Sequence, residues 1–388
     1  MAIELIRLIE KVSHMDIKLM AGEGGTHCLV RWVHMVEATE SSDFVDDGQL
    51  VFTTGIGIGS PDRLIDLVKA VRRRGAVGVI VNIGPYIEKI PEEVIQYCNE
   101  NDYPLYEVPW KIHLAEIMSI CYMAITREDQ RSLETSAAVK NAIFFPKQEE
   151  LYVVPLSQRS FKVNWRYSVT VMRLNSITGS NYEDRLEKLC ITLDNLIRHH
   201  NKSFSIFVND MEIILVFANL NEAELKKEIE GLQEVIKSLL MRDEEISIGV
   251  GRLTKSVRCL YKSYNQALSI EKLSRNKKIP KDKVFYSELG IYRLLMGIDD
   301  REIMTEYYSH TLKPLLDYDA VNNSDLCGTL RCYLHNNGSV KETADELFVH
   351  RNTINYKLNK IEELLNIEVS SVAARTELMM AFYLQDIL

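Results

Sequence analysis

Residues 326–365 read LCGTLRCYLHNNGSVKETADELFVHRNTINYKLNKIEELL. Within this stretch Asn336-Asn337-Gly338 stops one helix and Ser339 opens the next. Ser339 with Glu342 predicts a capping box, in which hydroxyl and carboxylate each accept an orphan backbone N–H. Val340, Ala344 and Leu347 fall on one face of that short helix, with small Ala344 where two helices must approach closely. Arg351 begins a longer helix whose buried stripe is Ile354, Leu358, Ile361 and Leu365. Two helices joined by a tight turn, apolar on facing sides, describe a helix-turn-helix. The face opposite the stripe presents Asn352, Tyr356 and Asn359, flanked by Thr353, Asn355 and Lys360. Asn can pair bidentately with adenine, and Arg351 at the helix start reaches guanine or phosphate. No acidic residue lies between Arg351 and Lys360. The competing reading is a helical pair that only packs in a bundle. Phe348 occupies the turn where many such motifs place Gly, so it either avoids positive φ or adopts it at a cost.

The pattern from Leu289 onward is purely helical, and the basic stretch NKKIPKDK (276–283) reads as a linker. Before it lies a β-α-β-β-α-β block: strand Tyr167–Leu174, helix Glu183–His199, strands Phe204–Val208 and Glu212–Ala218, helix Glu222–Leu240, strand Ile246–Val250. That order is the ferredoxin-like arrangement, with Asn209-Asp210 as the hairpin turn and a further helix at Arg258–Arg275. Residues 111–143 read as one helix, a connector and a dimer seam, without the clean heptads of a long coiled coil. From 27 to 110 strands alternate with helices, and the strands at Leu50–Thr54 and Val77–Ile83 are continuously apolar. Such strands belong in a parallel sheet covered on both faces. Ser60-Pro61 is expected to open the first helix of this block, with Ser60 as N-cap and Pro61 at N1.

The 388 residues are too many for one core, and 46% hydrophobic with 26% charged content is ordinary for several globular domains. A net charge of -9 argues against non-specific coating of nucleic acid but leaves room for a small DNA-reading surface. Seven cysteines are scattered with no CxxC, which fits a reducing cytoplasm. The opening MAIELIRLIEKV carries Glu4, Arg7 and Glu10, so it predicts an amphipathic helix rather than a signal peptide. No apolar run is long enough to span a membrane.

Several signals resemble catalytic motifs. Gly55-x-Gly57-x-Gly59 follows a strand and precedes a helix, but its spacing is not that of a dinucleotide fingerprint. A small polar or anionic effector at a strand-end crevice is the stronger reading there, with Thr53, Thr54, Gly55 and Gly57 at the crevice and Trp32 and His34 as walls. The bland alternative is a Gly-rich turn serving chain geometry. Glu37 alternates with Trp32 and His34 on the same segment. His199-His200 sits at a helix end, where histidines suit the dipole, and no metal ligand set accompanies it. No catalytic residue, metal or cofactor is expected, and the chain reads as a non-enzyme.

The segment 338–369, above all Thr343-Ala344, Leu347 and Val349-His350-Arg351-Asn352-Thr353, resembles the C-terminal signature of the PucR/CdaR family of transcription regulators. VRWVHMVEATESSDFVDDGQLVFTTG, GVIVNIG and YPLYEVP resemble that family's N-terminal sensor domain, and the middle block is similar to its degenerate GGDEF-like domain. Asn209-Asp210-Met211-Glu212 stands where a diguanylate cyclase would carry its glycines, so catalysis is not expected. Family members usually carry Arg where this chain has Lys357, which is expected to touch a backbone phosphate.

The resemblance implies four segments: a parallel-sheet α/β sensor (1–122), a helical connector (123–150), a silent ferredoxin-like domain (151–285) and a helical DNA-binding domain (286–388) with its helix-turn-helix at 339–365. It implies an operator in double-stranded DNA, read by Arg351, Asn352, Thr353, Asn355, Tyr356, Lys357, Asn359 and Lys360. It also implies a small-molecule effector, control of catabolic genes, and a homodimer or higher homo-oligomer. The alternatives are a nucleotide-binding signalling enzyme or cyclase on the α/β blocks, or an interaction scaffold in which the 350–360 face is buried.

Overall fold

The amphipathic opening segment folds as expected: in the computed structural model, α1 (Leu5–Val12) buries Leu5, Leu8 and Val12. The structure describes residues 2–159, 161–176, 182–198, 203–298 and 300–388. A two-residue strand β1 (Ile3–Glu4) pairs antiparallel with β3 (Leu29–Val30) and seats the helix. The main sheet of this first domain holds β2 (Lys18–Ala21), β4 (Trp32–Met35), β5 (Gln49–Thr53), β6 (Gly78–Ile83) and β7 (Leu105–Pro109) in the order β2-β7-β6-β5-β4. Strands β4 to β7 are parallel, whereas β2 is an antiparallel edge that the sequence pattern did not announce. It is short, and only Ala21 of its four residues is buried, so no apolar run marks it.

The parallel strands follow one another in sequence order, and right-handed crossovers then put their helices on one face. Accordingly α2 (Leu64–Arg73) and α3 (Glu92–Glu100) share a core with Val51, Val79 and Val81, while α1 and α4 (Leu114–Phe144) pack with Leu50, Phe52 and Ile80 on the other face. Each of these fully buried apolar side chains contributes about 1.5–3 kcal/mol relative to exposure. Ser60 does not cap with its side chain; Pro61–Arg63 form a 3-10 turn before α2 begins at Leu64. With Pro61 bonding no earlier carbonyl, the chain tightens by an i→i+3 bond from Arg63 N–H to Ser60 O instead.

Helix α4 runs unbroken for 31 residues. Its first turns, at Leu114, Ile117, Cys121 and Ile125, belong to the first core, and Ala138, Val139, Ala142 and Ile143 belong to the next. The connector is therefore embedded at both ends.

The middle domain contains α5 (Val153–Gln158), β8 (Tyr167–Ser176), α6 (Tyr182–Arg198), β9 (Phe204–Asn209), β10 (Glu212–Ala218), α7 (Glu222–Leu239), β11 (Glu244–Val250) and α8 (Leu260–Arg275). Its sheet order β11-β8-β10-β9, antiparallel throughout, is that of the expected ferredoxin-like fold. Helices α6 and α7 cover one face; α5, α8 and the end of α4 cover the other. Gly249 permits this second layer, since a Cβ there would meet Ala267 O at 2.0 Å. The hairpin turn lies one residue later than expected: Asn209 still pairs with Glu212, and Asp210-Met211 turn the chain, with Asp210 at φ +51°.

The expected linker at 276–283 is not a free tether. Ile279 is buried against Ile270 and Leu273, and Phe285 bridges in parallel to Val250. Five further helices follow the short α9 (Tyr292–Leu295): α10 (Arg301–Asn322), α11 (Leu326–His335), α12 (Val340–Glu346), α13 (Arg351–Leu365) and α14 (Val372–Ile387). Their core joins Leu312 and Leu315 of α10, Leu330 of α11, Ala344 of α12, Ile354 and Ile361 of α13, and Phe382 of α14. Among the described residues no helix is long and apolar enough to cross a membrane.

Candidate nucleic-acid interface

The helix pair α12–α13 is built as the apolar stripe requires. Ala344, Ile354, Leu358 and Ile361 are buried, and Ser339 Oγ accepts the Glu342 N–H at 3.3 Å. The reciprocal half of the expected capping box is absent, because Ser339 N–H already donates to Asn336 O at 2.9 Å. At the start of α13, His350 Nδ1 accepts the Asn352 N–H, a cap that the sequence did not signal because His is not among the usual cap residues. Between the helices Phe348 adopts φ +55° with its ring 95% exposed. A left-handed conformation costs an L-residue about 1–2 kcal/mol, and a ring in water recovers none of it. Phe348→Gly is therefore expected to stabilise the chain by about 0.5–1 kcal/mol in urea melts, with destabilisation as the outcome that refutes the strain.

Six of the eight side chains assigned to DNA share one exposed surface: Arg351, Asn352, Thr353, Asn355, Tyr356 and Asn359. Among the described residues none of these side chains makes a hydrogen bond or ion pair within the chain. The scaffold alternative required this face to be buried, and it is open. The two lysines behave differently. Lys357 Nζ donates to Thr329 Oγ1 at 2.9 Å and Asp325 O at 3.3 Å, which ties it to the start of α11. Lys360 Nζ lies 2.8 Å from Glu363 Oε2 and 5.5 Å from the Tyr318 ring centroid, which likewise turns it from the groove-facing surface. The hydrogen bond to Glu363 holds the Lys360 ammonium above the usual lysine range.

For Lys360 the physical reason is local charge, since residues 286–388 hold nine Lys and Arg against sixteen Asp and Glu; for Lys357 it is proximity to a hydroxyl and a backbone carbonyl at the start of α11. Nearby, Asp319 accepts N–H bonds from Leu326 and Cys327 at the start of α11. Burial opposes its charge, but the Cys327 and Leu326 N–H groups and the Ser324 hydroxyl prevail and hold the carboxyl below its usual range.

In the first domain the strand-end crevice already holds a carboxylate. Thr53 Oγ1, Thr54 N–H, the Thr54 hydroxyl and Gly55 N–H all donate to Glu37, at 3.2, 3.0, 2.9 and 3.1 Å. Gly55 turns at φ +80°, where a Cβ would press on Ile87 at 2.5 Å, and Gly57 lies against the Glu37 carbonyl. The donors expected to face an anionic effector thus face the chain's own side chain. The parallel strands also run in unbroken order, so among them no strand-order reversal opens the crevice that such sheets use for ligands. Trp32 and His34 are not gathered here. Trp32 packs edge-on against Tyr122 of α4, with centroids 5.1 Å apart, and His34 Nδ1 lies 2.9 Å from Gln49 Oε1.

In the middle domain Glu212 sits 3.8 Å from Arg173, and burial together with nearby Glu271 pushes its carboxyl above the usual range. The histidines at 199 and 200 lie outside the described residues.

Residues 8–125 match the purine catabolism regulatory protein-like family, residues 157–271 a GGDEF-like domain, and residues 326–384 the PucR C-terminal helix-turn-helix domain. The chain is 24% identical over 328 residues to the proline-responsive transcriptional activator PutR of Bacillus subtilis, covering 80% of this chain and 74% of PutR. It is 26% identical over 210 residues to the DNA-binding transcriptional activator AdeR of the same organism, covering 53% of this chain and 48% of AdeR. It is 30% identical over 125 residues to the B. subtilis purine catabolism regulatory protein, covering 32% of this chain and 23% of that relative.

Proposed function

Since the chain belongs to the purine catabolism regulatory protein-like (PucR) family of transcription regulators, we propose that it binds a double-stranded DNA operator through the outward face of α13 and answers to a small-molecule effector. The observation that carries this reading is the exposed row of Arg351, Asn352, Thr353, Asn355, Tyr356 and Asn359, polar and without partners among the described residues, on the second helix of the motif. Such a surface reads base edges by hydrogen bonding, and Arg351 at its N-terminal end supplies the charge. One module offers little contact area, so the chain acts as a homodimer on half-sites about one helical turn, or a multiple, apart. It works in the cytoplasm, where its operator lies.

Salt-series binding to a selected duplex tests the assignment. Arg351→Ala is expected to make the salt slope shallower by about one per module, whereas Lys360→Ala, whose ammonium is held by Glu363, leaves it nearly unchanged. The reverse order would reassign the phosphate contact.

The relatives answer to proline or are named for purine catabolism, so the genes under control are catabolic and the effector is a nitrogen-containing or other small organic metabolite. We place it in the first domain, at the Thr53–Gly57 crevice, where it must displace Glu37 or bind against it. A metabolite that raises the melting temperature of the native chain should lose that effect in Glu37→Ala; an undiminished rise moves the effector elsewhere.

A further inference from the structure

Among the described residues of 286–388, the partly buried cations are Arg331, Lys357, Lys360 and Arg375. Arg331 pairs with Asp386 and Lys360 with Glu363, while Lys357 donates to Thr329 and to the Asp325 carbonyl. Arg375 differs. Its Nη1 donates to Asn337 O at 2.7 Å, no carboxylate among the described residues pairs with it, and its Nε–H is shut off from water without an acceptor. A guanidinium carries five N–H donors, and leaving a buried one unmade costs the full desolvation of that group.

Arg375 forms part of the wall of an open cavity of about 350 Å³. Helix α14 also contributes Met379, Met380 and Tyr383, α11 contributes Leu334, and Ile291 closes the cavity from just before α9. Among the described residues Arg375 is the one formal charge lining it. The volume lies within the roughly 300–1,000 Å³ of small-molecule pockets. The two halves of the lining restrict the guest from opposite ends. Methionine and aromatic walls take an apolar body, and Met adapts its shape to it. The planar guanidinium takes a carboxylate. A hydrocarbon would leave Arg375 as unsatisfied as before, and a polyanion would press charge against the apolar walls.

We infer that this cavity binds an apolar monocarboxylate, an aliphatic or aromatic acid whose tail packs on Met379, Met380 and Tyr383 while its carboxylate pairs with Arg375. The site is distinct from the first-domain crevice, and filling it requires no DNA. The guest spans α9, α11 and α14, and no residue of α13 lines the cavity. Arg375 also holds the α11–α12 turn through Asn337 O, so the guest braces the base of the helix-turn-helix and leaves its outward face free.

The test is calorimetric titration of the full chain at low ionic strength with phenylacetate and, separately, hexanoate, each beside its neutral amide. Saturable binding of at least one acid is expected, with its amide at least about tenfold weaker, the loss of one charge-assisted hydrogen bond. Arg375→Gln should abolish that preference by bringing the acid down to the level of the amide. Because Arg375 also ties Asn337, a second variant leaves it in place. Val372→Asp alters a 72% exposed side chain on the cavity rim, in the first turn of α14, where an acid suits the helix dipole. It should keep the melting temperature, weaken the acid several-fold by like-charge repulsion and leave the amide unchanged. If Arg375→Gln fails to fold, Val372→Asp decides alone. No saturable binding of either acid, equal affinity for acid and amide, or an acid that neither variant weakens overturns the proposal.

Discussion

With Asp386 replaced by alanine, the C-terminal module is expected to lose about 2–4 kcal/mol of stability, discounted from the full cost of breaking a buried pair because its partners are part-exposed. The Asp386 side chain is 2% exposed and accepts bonds from Arg331 at 2.5 Å and Tyr292 at 3.0 Å, with Lys278 at 3.1 Å. Removing the carboxylate leaves Arg331 and Lys278 facing each other without compensation, and leaves the Tyr292 hydroxyl without its acceptor. Burial and the neighbouring Asp386 already push that hydroxyl's pKa up, so it stays a neutral donor in need of a partner. Hydrogen exchange at α11 and α14 amides isolates this module from the other domains. Asp386→Asn, which keeps hydrogen-bonding atoms but not the charge, should lose less. Protection changed by under about 0.5 kcal/mol in Asp386→Ala would show the cluster to be incidental.

Asn352→Ala is expected to cost about 1–3 kcal/mol of binding at the cognate site and much less on random duplex. Asn352 is exposed on the face opposite Ile354, Leu358 and Ile361, and its side chain has no partner among the described residues. Its loss should therefore leave folding unchanged, which separates a reading defect from a structural one. Gel-shift titration on selected and random duplexes measures both arms. Equal loss on both DNAs, or none on either, removes Asn352 from base reading.

Local periodicity along the chain specified most of its regular elements. The 3.6-residue stripe of Ile354, Leu358 and Ile361 specified both the buried and the outward face of α13, and the continuous apolar runs at Leu50 and Val79 specified strands covered on both sides. Most helix boundaries and the β-α-β-β-α-β order of the middle domain followed from the same signals, although α2 begins at Leu64 and not at Pro61. The partners of polar side chains, in contrast, emerge only in the folded chain. Lys357 and Lys360 carry the right charge on the right helix, yet Thr329, Asp325 and Glu363 claim their ammonium groups. Glu37 fills the crevice of Thr53 to Gly55 from 16 to 18 residues away. Asp386 and Arg331 meet across 55 residues, and Arg375 reaches Asn337 across 38. Apolar burial is non-directional and repeats with the helix or strand period, so it leaves a pattern in sequence. A hydrogen bond or ion pair joins two particular atoms at one distance and angle, and no period records which two the folded chain will bring together.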